Sequence, residues 1–191
     1  MLVIRSARLL YVPTPLEVLK QRMLRSEFVA ELPANGEGPA GSALRVRFPG
    51  EWPGDDALAV LPMWVSRRER GAGAEPWTDG VMVRSEDCLA VGSIGFKGPP
   101  DPCGSVEIGY AVNRSLRGLG YASEMSAALT GWALQQPGVR RVTAQCREDN
   151  TASIRVLEKA GFARVGRRGT EDGPLLLWER DRRHSPDPGK R

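Results

Sequence analysis

Histidine is almost missing from this chain: its 191 residues include one, His184, close to the C-terminus. A lone imidazole argues against a Ser-His-Asp hydrolase, a Cys-His protease and a His-ligated metal centre. Cysteine is nearly as scarce. Cys88, Cys103 and Cys146 fit no CxxC or zinc spacing, and their odd number and wide separation predict reduced thiols in a cytoplasmic protein. Long apolar runs are also lacking. The longest, Leu58 to Val65, is broken by Pro62 and is far shorter than the ~20 residues a bilayer requires. Arg5 and Arg8 interrupt the N-terminal stretch, so it does not read as a signal peptide, and no membrane partner is expected. The formal charge of +4 is little more than a tail effect, because Arg182 to Arg191 carry four basic groups and one acid. With about +1 left for the body, nucleic acid is disfavoured as a partner.

What is present is an ordinary globular composition, 41% hydrophobic and 26% charged, in a length that suits one domain. We expect that domain over 1–181 and a disordered basic tail over 182–191. Arg8 to Val12 reads as a strand. Thr14-Pro15-Leu16-Glu17 reads as a helix start with Thr14 as N-cap, and Leu16, Leu19, Met23 and Leu24 as the apolar stripe. From Glu31 to Pro53 glycine and proline obscure the pattern except for a strand at Leu44 to Phe48. A second helix is predicted from Asp55-Asp56 through Met63 and Trp64 toward Arg68, followed by a loop from Gly71 to Pro76. The second half is clearer. Three antiparallel strands (80–84, 89–97, 106–112) precede a helix over 121–136. A strand over 142–146, a helix from Thr151 to Ala160 closed by Gly161, and two strands (162–167, 175–180) complete a mixed α/β sheet.

Arg117-Gly118-Leu119-Gly120-Tyr121-Ala122 stands between a strand and the longest amphipathic helix. Amides at a helix N-terminus lack intrahelical acceptors, the helix dipole adds partial positive charge, and glycine lets phosphate oxygens come close. Taken alone, such a turn is structural as often as it binds phosphate. It is no Walker A loop, since no Gly-Lys-Ser/Thr follows, and the strand before it does not open a βαβ unit.

Those six residues resemble the R/Q-x-x-G-x-G/A acyl-CoA diphosphate motif of the GNAT superfamily of N-acyltransferases. The resemblance extends upstream to Val106-Glu107-Ile108-Gly109-Tyr110-Ala111-Val112 and downstream to Asn150-Thr151-Ala152-Ser153 and Val156 to Phe162. It runs firmly from about Leu89 to Trp178, and Arg8-Leu9-Leu10 leading into Thr14-Pro15 is similar to the ribosomal-protein alanine acetyltransferase branch. It implies a GNAT-like, mostly antiparallel twisted sheet flanked by helices and splayed at the acyl-CoA site. It also implies an N-acetyltransferase that moves an acetyl group from acetyl-CoA to an amine by direct attack, with no metal.

In that reading the backbone of Ala111 and Val112 contacts the pantetheine arm, which fills the splay as a pseudo-strand. Asn150 hydrogen-bonds the arm, or simply caps the following helix. Tyr121 and Met125 pack. Glu107, sharing a strand face with the small Gly109 and Ala111, is the leading general base, with Asp79 and Glu86 as fallbacks. The family often has a Tyr at the position of Leu157, so that acid is missing here. Ser153 instead offers a hydroxyl toward the thioester sulfur, or is a plain helix-surface serine. Nothing near Cys146 would activate its thiol, so a covalent acyl-enzyme is not expected. The acceptor, a protein N-terminus or a small amine, would be chosen by the first two helices and the loop before the third strand. Trp52, Trp64 and Trp77 are candidate pocket walls or core. A non-catalytic acyl-CoA-binding module is the alternative, and a homodimer is one candidate assembly.

Overall fold

Short strands alternate with four helices in a computed structural model that describes residues 2–33, 43–71 and 75–182. Strands β1 (Ile4–Arg5) and β2 (Leu9–Pro13) precede α1 (Leu16–Leu24), the hairpin β3 (Phe28–Pro33) and β4 (Ala43–Phe48), and α2 (Asp55–Glu69). Then come β5 (Asp79–Arg84), β6 (Leu89–Phe96), β7 (Ser105–Val112), α3 (Tyr121–Gln135), β8 (Arg141–Arg147), α4 (Thr151–Lys159), β9 (Ala163–Arg168) and β10 (Leu175–Asp181). The sheet order is β1-β2-β5-β6-β7-β8-β10-β9, with β4 attached to β6 and β3 to β4. Among the described residues only β7–β8 and β4–β6 are parallel pairs, so the strand before the glycine turn does open a βαβ unit, β7-α3-β8, contrary to the expectation from the sequence. Of the tail expected over 182–191, only Arg182 is described, donating to the carbonyls of Leu134 and Gln136; His184 lies outside the described residues. No helix among the described residues is long and apolar enough to cross a membrane.

Alternation along the strands sorts apolar side chains to two faces. Leu9, Tyr11 and Met82 join Met125, Leu129, Leu157 and Trp178 in the core under α3 and α4. Leu10, Val12, Val81 and Val83 join Leu19, Phe48, Trp52 and Leu61 in the core under α1 and α2.

Three expectations about the first half are corrected. Thr14 does not cap α1: its amide donates to the Asp79 carbonyl, which keeps it in the sheet, so Pro15 becomes the N-cap. Met23 and Leu24 do not belong to the buried stripe but are 51% and 84% exposed, while Val18, Leu19 and Arg22 are buried. Arg22 takes that place because its guanidinium is satisfied by the carbonyls of Trp52, Gly50 and Arg25, and burial lowers its pKa. The stretch before Leu44 also holds a strand, β3, whose Phe28 and Leu32 face inward against β4. Helix α2 runs through Pro62, which sits on its exposed side while Ala57, Leu61 and Val65 anchor the opposite one.

Strand β6 approaches β7 most tightly at Gly92, where a Cβ would press into the Ala111 carbonyl and lie 2.9 Å from Val112 Cα. Backbone cannot yield as a side-chain end can. Gly92→Ala is therefore expected to cost about 2–3 kcal/mol, read as a lowered midpoint in denaturant unfolding. An unchanged midpoint would mean this spacing is looser than described.

Candidate active site

Strands β7 and β8 pair only at Ser105↔Arg141, Val106↔Val142 and Glu107↔Thr143, although β7 continues to Val112 and β8 to Arg147. Beyond Glu107 the two diverge. A groove of about 380 Å³ lies at the open end, lined by Ala111, Val112, Arg117, Gly118, Gly120, Tyr121 and Ala122 on one side and by Asn150 and Ser153 of α4 on the other. Of the residues singled out in the sequence as donor contacts, only Leu119 does not line it. Its side chain is 49% exposed, and its carbonyl accepts from Arg8 Nη2 at 3.1 Å.

The turn into α3 is built from two left-handed glycines, Gly118 at φ 80° and Gly120 at φ 85°. A Cβ on Gly118 would meet nothing within 4 Å, so the cradle is open. Glu124 makes the first helical bond, to Gly120 O, and among the described residues no protein acceptor takes the amides of Leu119 to Ser123. Five adjacent N–H groups at the positive end of a fifteen-residue helix are the kind of donor array that can receive an anion. The turn is braced from behind. Glu124 accepts from Ser6 Oγ, Arg8 N and Arg8 Nε, and these bonds outweigh its burial and lower its pKa. The Arg8 guanidinium lies 4.8 Å from the centre of the Tyr121 ring. Tyr121 is thus a packed wall whose hydroxyl accepts from Arg84. Arg117 donates to Val112 O and to Asp55 Oδ2, linking the turn to the start of α2.

A second cavity, of about 530 Å³, lies between α2 and the opposite sheet face. The two cavities share Asp56, Tyr110 and Ala111, so they meet at a neck where β7 leaves β8. The register explains the second cavity's floor. Asp79↔Gly95 and Gly95↔Gly109 form one row across three strands, with a carboxylate beside two bare glycines. Trp64 and Trp77 line this cavity, whereas Trp52 is core and donates from Nε1 to Gly92 O.

Glu107 shares the face of Gly109 and Ala111 but lines neither cavity. Its Oε1 pairs with Lys97 Nζ and accepts from Gln145 Nε2 at 3.1 Å. It lies one residue pair from Gly109 along β7, roughly 7 Å, so it stands off the cavity floor rather than on it. Asp79 does line the cavity. Its Oδ1 is 3.5 Å from Arg68, and its buried Oδ2 has no hydrogen-bond partner. Glu86, the other fallback, is exposed on the turn after β5 and faces neither cavity.

Asn150 Oδ1 accepts from Ser153 N at 2.9 Å, so its side chain does cap α4, and the residue also lines the groove. Leu157 is fully buried and offers the groove nothing. Cys146 is buried, and burial pushes its thiol pKa up. Two neck residues were not legible as functional in the sequence. Asp56 reads there as a helix start. Tyr110 reads as an ordinary strand aromatic, yet its hydroxyl donates to Ser153 O at 3.3 Å, and burial pushes its pKa up to about 12. Among the described residues no cluster of His, Cys, Asp or Glu is placed to hold a metal ion.

Gly109 has only Lys97 Cε, at 3.8 Å, near the position of an added Cβ. Gly109→Val should therefore fold normally while filling the floor of the second cavity. We expect the acceptor KM to rise about tenfold with acetyl-CoA binding unchanged, as measured by steady-state kinetics; equal KM values would show that acceptors do not use this floor.

Residues 42–163 match the family model described as an acetyltransferase (GNAT) domain. The chain is 38% identical over 113 residues to the uncharacterized N-acetyltransferase YjdG of Bacillus subtilis, an alignment covering 59% of this chain and 67% of that protein. It is 31% identical to the uncharacterized N-acetyltransferase YnaD of the same organism, over 59% of this chain and 61% of that one. The chain thus spans about two thirds of the length of the curated relatives it matches. Its fold is shared with Mycobacterium smegmatis RimJ, solved in complex with a CoA-disulfide, at a TM-score of 0.63 and 17% identity over 97% of this chain and 90% of that one.

Proposed function

The chain belongs to the acetyltransferase (GNAT) family, and from that premise we propose that it transfers an acetyl group from acetyl-CoA to an amine held in the second cavity. The observation that carries this reading is the neck: a groove with free helix-terminal amides meets a glycine-floored cavity at Tyr110 and Ala111. Acetyl-CoA supplies an activated thioester. The amides of Leu119 to Ser123 bind its diphosphate, with Arg117 alongside, and the backbone of Ala111 and Val112 and the Asn150 amide align its pantetheine arm in the splay.

The residues then divide the proton work. Glu107 takes the proton of the amine through water, so that a neutral nitrogen forms the new C–N bond while the C–S bond breaks. The Ser153 hydroxyl faces the departing sulfur as a hydrogen-bond donor, and the Tyr110 hydroxyl becomes a second donor by exchanging its bond to the Ser153 carbonyl for one to that sulfur. With its pKa raised to about 12, the Tyr110 phenol stays protonated throughout the neutral range and keeps that role. Tyr110→Phe is expected to lower kcat about tenfold with the KM for acetyl-CoA unchanged, in stopped-time thiol-release assays; an unchanged kcat would remove Tyr110 from the reaction.

Leu157, a buried residue at the position where the family resemblance implies a Tyr, favours one other reading: an acyl-CoA-binding module without turnover. Thioester consumption decides between them. Release of free thiol that depends on an added amine supports the transferase, whereas tight coenzyme A binding with no thiol release from any amine supports the module.

A further inference from the structure

We propose that the acceptor is a small primary amine with an apolar or aromatic body and an anionic group, such as a carboxylate, at its far end. The proposal rests on the transferase reading for the direction of the amine, but its recognition argument is independent of turnover. The cavity wall contributed by α2 is a single helix face that begins at Asp56, on the neck, and ends at Arg67 and Arg68. Between those ends Trp64, Trp77 and Phe96 supply most of the lining, Trp77 packed edge-on against Phe96, and the Arg68–Asp79 pair is the charged interruption on the floor.

The charges select among amines. Arg68 is paired with Asp79 and Lys97 with Glu107, so both pairs are internally neutralised. Asp56 and Arg67 are the cavity's two charged residues that form no ion pair among the described residues. Asp56 lines the neck, where a substrate ammonium would be drawn toward the thioester. Arg67 is at the opposite end, held by a bond from Nη2 to Lys97 O at 3.1 Å. The strand rows set the separation. The Ser93–Ala111 row at the neck and the Lys97–Glu107 row near Arg67 are four residues apart, roughly 13 Å. One unpaired carboxylate and one unpaired guanidinium at opposite ends of an aromatic slot fit a ligand with ammonium and carboxylate ends. They do not fit a polycation, which would need several free carboxylates where one exists and would meet Arg67 at the far end.

Tryptophan fluorescence of the coenzyme A-bound protein tests this directly, because Trp64 and Trp77 line the cavity. The probes are para-(aminoethyl)benzoate, phenylethylamine, spermidine and an alanine-initiated peptide amide. We expect para-(aminoethyl)benzoate to bind at least about tenfold tighter than phenylethylamine and than either other probe. Arg67→Met should erase the advantage over phenylethylamine without weakening phenylethylamine itself. Equal affinities for the carboxylated and uncarboxylated amines, a preference for spermidine or for the peptide, or an Arg67→Met protein that retains the advantage would each overturn the proposal. Thiol release measured on the same samples reports the transferase reading separately. Selective binding without thiol release would defeat that reading and leave the recognition proposal standing, and unselective thiol release would do the reverse.

Discussion

A carboxylate placed at position 120 is expected to abolish coenzyme A binding while leaving the fold intact. Gly120 sits at φ 85°, in the left-handed region that Asp tolerates better than most residues, and it is the N-cap of α3, where Asp is favoured. The nearest atom to an added Cβ is Arg8 Nη2 at 3.4 Å, the end of a flexible and oppositely charged side chain. Gly120→Asp therefore still folds, with a modest loss of thermal stability from the left-handed backbone at this position. Its carboxylate, however, would accept from the first free amides of the helix and occupy the place of a diphosphate oxygen, while repelling the rest of that group. Charge-assisted hydrogen bonds are worth about 1.5–3 kcal/mol each, so losing two of them predicts at least a hundredfold weaker coenzyme A binding by calorimetry. A variant that folds and binds coenzyme A as tightly as the parent would place the diphosphate elsewhere.

The second large effect is expected at Glu107. Glu107→Gln preserves shape and the hydrogen bond from Gln145 but cannot accept a proton, and kcat should fall about 10²–10³-fold with the KM for acetyl-CoA unchanged. The defect should narrow as pH rises through the pKa of the acceptor amine, because solvent then supplies the neutral nucleophile that Glu107 otherwise prepares. Asp79→Asn is the necessary companion, since Asp79 lies on the cavity floor with a buried unpartnered oxygen. If Asp79→Asn shows the pH-rescued loss and Glu107→Gln shows none, Asp79 is the proton acceptor.

The regions legible in the sequence were those where pairing and periodicity are local. Helices α3 and α4 and strands β7, β8 and β10 lie within a residue or so of their expected bounds. Alternation in 106–112 and the helical spacing of Ala122, Met125, Leu129 and Ala133 are strong patterns, and Gly161 ends α4. The glycine turn into α3 was legible for the same reason: a strand, two glycines and a long helix are consecutive in the chain. The first half was harder because its choices are made by distant partners. Thr14 is held by Asp79, Arg22 by the carbonyls of Gly50 and Trp52, and β3 by β4 across the segment 34–42. The alternation of Phe28, Ala30 and Leu32 was a signal for β3 that the surrounding glycines and prolines masked. The acceptor cavity was the least legible part. Its floor is a row across three strands and its wall a helix, so Asp56 and Tyr110 acquire their positions only through register.

The central claim is that the amides opening α3 receive the diphosphate of coenzyme A while the β7–β8 splay receives its pantetheine arm. Backbone amide resonances, followed by NMR during titration with coenzyme A and separately with pantetheine, test it most directly. Coenzyme A should move the amides of Gly118 to Ser123 together with those of Ala111, Val112 and Asn150, and pantetheine should move only the latter three. Saturating coenzyme A that leaves Gly118 to Ser123 unmoved, or moves a different set of amides, would contradict the account.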